Sequence, residues 1–250
     1  TRREVRDYIV DSVSGILDSA NISYVKWDMN RHSIALGEKA HDFILGLYEV
    51  LRRIFVEKHP NVLLEGCSSG GNRFDLGMLT FAPQIWTSDD TDAAERIEIQ
   101  RGMYCFYPPS SISCHVSMCP NQQTLRNIAL STRFHVAAFG VLGYELDFGE
   151  LTPEERRQIK AQIAFYKAHR RTFQFGHFRR YFPKQGQRES WQISGDTEIL
   201  ASIYNLSYHA IPGRDTLRIL GAKKVKRYRM TSVKQTLAIR RFGGLIKHVL

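Results

Sequence analysis

The stretch Ile22-Ser23-Tyr24-Val25-Lys26-Trp27-Asp28 reads as a strand that ends in a charged loop. Upstream, Val5, Ile9, Val13, Ile16 and Leu17 recur at helical spacing over residues 3–20. Downstream, Phe43, Ile44, Leu47, Val50, Leu51 and Ile54 predict a second helix over 40–58. The alternation then repeats. Residues 61–65 form a short apolar strand leading into Gly66-Cys67-Ser68-Ser69-Gly70-Gly71, and 84–87 form one leading into Ser88-Asp89-Asp90-Thr91-Asp92. Helices are expected over 93–104, 125–134 and 153–171, with strands over 112–115 and 141–146 between them. Thr152 before Pro153 is the expected cap of the last helix.

Alternating strands and helices, with polar residues just after the strands, belong to a (β/α) barrel or a doubly wound sheet. Beyond residue 172 the pattern changes. Segments 191–193, 198–204, 216–220, 227–230 and 237–240 are short and bounded by turn residues such as Gly195, Pro212-Gly213 and Gly221. The expected fold class is therefore α/β. About five βα units over 1–172, an open doubly wound sheet or a partial (β/α)8 TIM barrel, precede a small, incomplete antiparallel β-domain over 173–250. A closed barrel needs eight strands, so either the sheet is open or the chain starts partway round a barrel.

Composition excludes some classes. No apolar run approaches the roughly 20 residues of a membrane helix. The formal net charge of +10 is concentrated in the last third, at Arg170, Arg171, Arg179, Arg180 and the run from Lys223 to Arg229. No zinc-finger spacing or RNA-binding signature accompanies it, so it reads as a solvated basic face. Cys67, Cys105, Cys114 and Cys119 show no paired metal-ligand spacing and fit free thiols in a reducing compartment.

Two carboxylates stand at strand ends, Asp28 and Asp89. Such a pair on one barrel rim suits glycoside hydrolysis, where one carboxylate attacks the anomeric carbon and the other protonates the leaving oxygen. From spacing alone, each could equally be a cap or a salt-bridge partner.

Three stretches narrow the choice: Lys26-Trp27-Asp28-Met29-Asn30-Arg31, Cys67-Ser68-Ser69-Gly70-Gly71-Asn72-Arg73-Phe74-Asp75 and Trp86-Thr87-Ser88-Asp89-Asp90-Thr91-Asp92-Ala93. Together they resemble the active-site signatures of glycoside hydrolase family 36 α-galactosidases. His115-Val116-Ser117, Gly143-Tyr144-Glu145-Leu146-Asp147 and Gln174-Phe175-Gly176 extend the resemblance to most of the chain. It implies a retaining double displacement with Asp28 as nucleophile and Asp89, protonated at the start, as acid/base. It further implies that Lys26 donates to galactose hydroxyls, that Asn30 is a hydroxyl partner, and that Cys67 and Gly70 line the sugar site.

The implied substrate is a galactoside oligosaccharide such as melibiose or raffinose. No metal or organic cofactor is implied, and no nucleic acid or membrane partner. Family members are far longer, so these residues are expected to be part of a larger, homo-oligomeric, cytoplasmic parent and to be inactive or unstable alone. The alternatives are galactosyl transfer of the raffinose or stachyose synthase type, and an inactive carbohydrate-binding remnant.

Among the neighbours, Asp90 and Asp92 are expected to cap the helix from Ala93, and Arg73 and Asp75 to form a supporting pair. His115 is expected to be a satisfied strand-end histidine. Trp27 and Trp86 suit sugar stacking or barrel packing equally.

Overall fold

The computed structural model describes residues 2–30, 34–184, 188–207 and 217–233. Five strands form one sheet in chain order: β1 (Tyr24–Asp28), β2 (Leu63–Cys67), β3 (Gln84–Trp86), β4 (Ile112–Ser117) and β5 (Val141–Glu145). The pairs β1–β2, β2–β3 and β3–β4 are parallel. Parallel neighbours need a crossover, and helices supply it. The crossovers hold α2 (Ala40–Leu51) continued by a π-helical stretch (Arg52–Lys58), the short α3 (Leu76–Leu79), α4 (Ala93–Met103) and α5 (Leu130–Ala137), while α1 (Arg3–Ser19) precedes β1 and α6 (Pro153–Phe175) follows β5. A second sheet of three antiparallel strands follows: β6 (His177–Lys184), β7 (Arg188–Ser194) and β8 (Ile199–Asn205). A partial barrel followed by an antiparallel β-domain is one of the two arrangements that the alternation allowed, and the one that the family resemblance implied.

The chain divides into two compact units, 1–89 with 102–113 and 90–101 with 114–250. In the first, Val10 and Leu17 of α1, Leu47, Val50 and Leu51 of α2, and Ile54 and Phe55 pack on Leu64 of β2 and Ile85 of β3. Val25 and Trp27 of β1 join this core, and Trp27 meets Phe55 edge-on at 6.2 Å. Strand side chains alternate between faces, so Lys26 and Asp28 project from the opposite face. Register carries this parity across the sheet, with Lys26 beside Glu65 and Asp28 beside Cys67. Glu65 in turn lies beside Gln84.

In the second unit, Trp191 is fully buried and meets Phe139 at 5.7 Å and Tyr204 at 4.8 Å. Helix α6 starts with a complete capping box: Thr152 accepts from the Glu155 amide while the Glu155 carboxylate accepts from the Thr152 amide. The Tyr166 hydroxyl donates to Gly140 O at 2.6 Å and ties α6 to the start of β5.

Three expectations need correction. The helix expected over 125–134 begins at Leu130 instead. Asn121 Oδ1 accepts from the amides of Gln123 and Thr124, both at 2.9 Å, and Leu125 has φ 56°. Arg126 is drawn to Asp92 at 2.8 Å. This turn holds residues 121–126 out of the helix. Secondly, residues 217–220 and 227–230 form no strand. Val225 and Met230 are more than nine-tenths exposed, so there is no face to alternate against. The Gln192 side chain instead binds Arg218 O at 2.8 Å and the Leu220 amide at 2.7 Å. The segment 237–240 lies outside the described residues. Thirdly, β6 was not anticipated, because His177-Phe178-Arg179-Arg180-Tyr181-Phe182 has no clean apolar alternation.

Candidate active site

The site grows from the C-terminal ends of β1, β2 and β3. Asp28 closes β1, and its Oδ2 accepts from Asn30 Nδ2 at 3.1 Å. The Asn30 side-chain oxygen Oδ1 accepts in turn from the Ser69 amide at 2.6 Å, which draws the loop after β2 towards Asp28. Ser68 Oγ and the Arg73 guanidinium both donate to Met29 O, fastening the same loop to the residue after Asp28. Burial pulls the Arg73 guanidinium below its ordinary pKa, against the opposing pull of the Asp28 charge.

Gly70 occupies left-handed backbone space at φ 81°. A Cβ there would stand 2.7 Å from Ser88 Cα and 3.2 Å from the Asp89 nitrogen. A Cβ on Gly71 would stand 2.7 Å from Thr87 O. The close approach that these glycines permit is therefore to the backbone that carries Asp89. Asp89 is held by Trp86, whose indole Nε1 donates to its Oδ1 at 3.0 Å. Trp86 is almost fully buried, and Lys26 Nζ sits 4.9 Å from its ring centroid.

Asp28 and Asp89 are thus linked through Asn30, Ser69, Gly70 and Ser88. One strand, β2, lies between β1 and β3, and Asp89 stands three residues beyond the end of β3. Each carboxylate has a fixed donor and a polar surrounding. Cys67, buried beside Asp28 in the sheet register, completes the group. Burial pushes its thiol up to about 11; the Gly70 backbone opposes this, and hydrogen bonding to Asp28 adds to it. At neutral pH it is a protonated thiol, which suits a hydrogen-bond donor and not a nucleophile.

The structure therefore brings together Lys26, Asp28, Asn30, Cys67, Gly70 and Asp89. The expected Arg73–Asp75 pair is a correction. Arg73 turns to Met29 O, while Asp75 accepts from the Met78 amide at 2.8 Å as the cap of α3 and from the Tyr48 hydroxyl at 3.3 Å. Asp92 does cap α4, accepting from the Ala94 amide at 2.8 Å, and Asp90 Oδ1 accepts from the Asp92 amide at 3.0 Å. His115 Nδ1 lies 2.9 Å from Glu145 Oε2, as a satisfied strand histidine would.

Sequence reasoning passed over Glu65, Tyr24, Gln84 and the donor role of Trp86. The available signal was a lone carboxylate inside the apolar run Val62-Leu63-Leu64-Glu65-Gly66-Cys67.

Residues 1–176 match the family described as Melibiase. The chain belongs to the melibiase family. This melibiase-family chain is 44 % identical over 234 residues to the α-galactosidase AgaA of Geobacillus stearothermophilus, covering 88 % of this chain and 32 % of that protein. It is also similar to solved structures of GH36 AgaA variants from that organism. One, in complex with stachyose, matches at TM-score 0.82 and 44 % identity, covering 88 % of this chain and 32 % of the other. Another, in complex with raffinose, matches at TM-score 0.79 and 43 % identity, covering 85 % and 31 %. The resemblance to family 36 enzymes is thereby borne out. The chain spans about a third of the length of these relatives. Among the described residues, no helix is long and apolar enough to cross a membrane.

Proposed function

We propose that these residues carry the catalytic pair of a retaining α-galactosidase that removes terminal α-1,6-linked galactose from oligosaccharides of the melibiose, raffinose and stachyose type. The observation that carries the reading is the pair Asp28 and Asp89, one strand apart and joined through the Asn30–Ser69–Gly70–Ser88 connection. The retaining reaction asks for two carboxylates roughly 5–5.5 Å apart across the scissile bond.

An Asp28 oxygen attacks the anomeric carbon as the bond to the leaving oxygen breaks, and Asp89 gives that oxygen its proton. Water then attacks the same carbon, returning a proton to Asp89 and releasing Asp28. Asn30 and the Cys67 thiol steady the Asp28 carboxylate, and the Trp86 indole steadies Asp89. Lys26 supplies ammonium donors to the sugar hydroxyls. Transfer to a sugar acceptor differs only in what replaces water, and product analysis at high acceptor concentration separates the two. The parent is further proposed to be a cytoplasmic homo-oligomer; the four free cysteines agree with a reducing compartment.

The test is hydrolysis by the full-length protein of p-nitrophenyl α-galactoside and of melibiose. Asp28→Ala should abolish both. Asp89→Ala should lose far more on melibiose, whose poor leaving group needs a proton, than on the nitrophenyl substrate. Equal rates for wild type and Asp28→Ala would end the assignment.

A further inference from the structure

A carboxylate in the middle of a parallel strand is an anomaly. The Glu65 side chain is 3 % exposed, and taking a carboxylate out of water costs several kcal/mol unless partners compensate. Tyr24, Gln84 and Lys26 meet it on the face that carries Asp28. Tyr24 Oη donates to Glu65 Oε2, and Gln84 Nε2 donates to the same oxygen at 3.0 Å. Gln84 Nε2 also reaches Tyr24 Oη at 2.9 Å, so the three side chains close a small ring of contacts. The other oxygen, Oε1, lies 3.6 Å from Lys26 Nζ.

The sheet register explains why these groups meet. Lys26, Glu65 and Gln84 are direct neighbours across β1, β2 and β3 and occupy one level of the sheet. One level on, towards the strand ends, come Asp28 and Cys67. The buried polar level is therefore the floor on which the candidate site stands.

Lys26 is the group on this floor that also belongs to the site. A lysine side chain carries much rotamer freedom, and that freedom must be given up before its ammonium can serve as a precise donor. Here an anion at 3.6 Å and an aromatic face at 4.9 Å locate Nζ. An ammonium has three N–H donors, so donors remain for a ligand hydroxyl. Tyr24 and Gln84 hold the far oxygen of Glu65 and so set the direction of the near one.

We infer that Glu65 is a positioning residue for the proposed reaction, its buried carboxylate pinning the Lys26 ammonium over Trp86 so that the ammonium meets the sugar preorganised. The inference rests on the reading of Lys26 as a sugar-hydroxyl donor in the proposed glycosidase. Glu65 itself does not touch substrate; it acts through Lys26. A role confined to filling the floor of the sheet would be indifferent to what stands at position 26.

That difference is measurable in a double-mutant cycle on the full-length protein, with wild type, Glu65→Gln, Lys26→Met and the double variant. The readouts are kcat and KM on melibiose and the melting temperature of each variant. Glutamine keeps the shape of the side chain and an oxygen for Tyr24 and Gln84, but removes the charge facing Lys26. With Lys26 present, Glu65→Gln should lower kcat/KM at least about tenfold, through a higher KM more than a lower kcat. In the Lys26→Met background the same change should cost less than about twofold.

Equal losses in both backgrounds, or no loss with Lys26 present, would overturn the inference while leaving the glycosidase reading intact. A wild type that cleaves no α-galactoside would overturn that reading and the inference with it. Should Glu65→Gln not fold, Glu65→Asp replaces it in the cycle. That change keeps the charge and draws it back from Nζ by one methylene, and the same comparison decides.

Discussion

Gly70 is where packing and catalysis meet most directly, and Gly70→Ala tests the connection. The residue sits at φ 81°, where a Cβ costs roughly 1–2 kcal/mol in local sterics. The larger consequence is positional. The new carbon would stand 2.7 Å from Ser88 Cα, a backbone atom with no rotamer to turn aside. That gap must open to about 3.4 Å, an ordinary contact, and the displaced backbone is the one that carries Asp89. In a near-attack geometry a shift on the order of 1 Å costs about a hundredfold in rate. Gly70→Ala should therefore lower kcat/KM on melibiose by about 10- to 100-fold, while the melting temperature falls only modestly. Gly102→Ala is the matched control: nothing lies within 4 Å of its Cβ, and it sits in the last turn of helix α4, so activity should be unchanged. Steady-state kinetics and thermal unfolding on the full-length protein provide both readouts. A folded Gly70→Ala enzyme with kcat/KM within a factor of two of wild type would refute the reasoning.

Two further outcomes follow from titrating groups. The Asp92 side chain is fully buried; burial alone would raise its pKa, but Thr124, the Ala94 amide and Arg126 together hold it below 3.8. Its folded value is depressed, so its stabilisation is present above about pH 3.8 and is lost as pH falls through the lower folded value. Asp92→Asn should cost about 1.5–3 kcal/mol near neutrality, and the difference from wild type should shrink in acid, as read by chemical denaturation across pH. Cys67 runs the other way. Burial raises its folded pKa from 9.0 to about 11, so the native state keeps a proton that the unfolded chain has released. Stability should decline between about pH 9 and 11, and Cys67→Ser should flatten that decline. Alkylation by iodoacetamide at pH 8, followed by peptide mass spectrometry, should label exposed Cys105 well before Cys67.

How much of the site was legible can be judged residue by residue. Lys26 and Asp28 lie two positions apart on a strand, so they must share a face once residues 22–28 are read as β. The helices with strong apolar periodicity, α1, α2 and α6, lie within a few residues of their expected limits. Helix α5 does not, because its start is decided by Asn121 donating to Thr91 and Arg126 to Asp92, elsewhere in the second unit. Strand β6 escaped for a related reason: it is stabilised by pairing with β7, and its own composition carries no period. Glu65 was visible as an out-of-place charge, but its purpose was not, since Lys26 is 39 positions away and meets it only through the register of β1 on β2.

The chain's own letters settled the alternation of strands β1 to β5 with the longer helices, the caps at Thr152 and Asp92, and the placing of two carboxylates after strands. These depend on periodicity and on contacts within a few residues, which local physics dictates. Tertiary structure alone decided that Glu65 of β2 meets Lys26 of β1. It also decided that Gly70 must lack a side chain because Ser88 fills that space. Those facts depend on strand register and on the packing of loops remote in sequence, which no short stretch encodes.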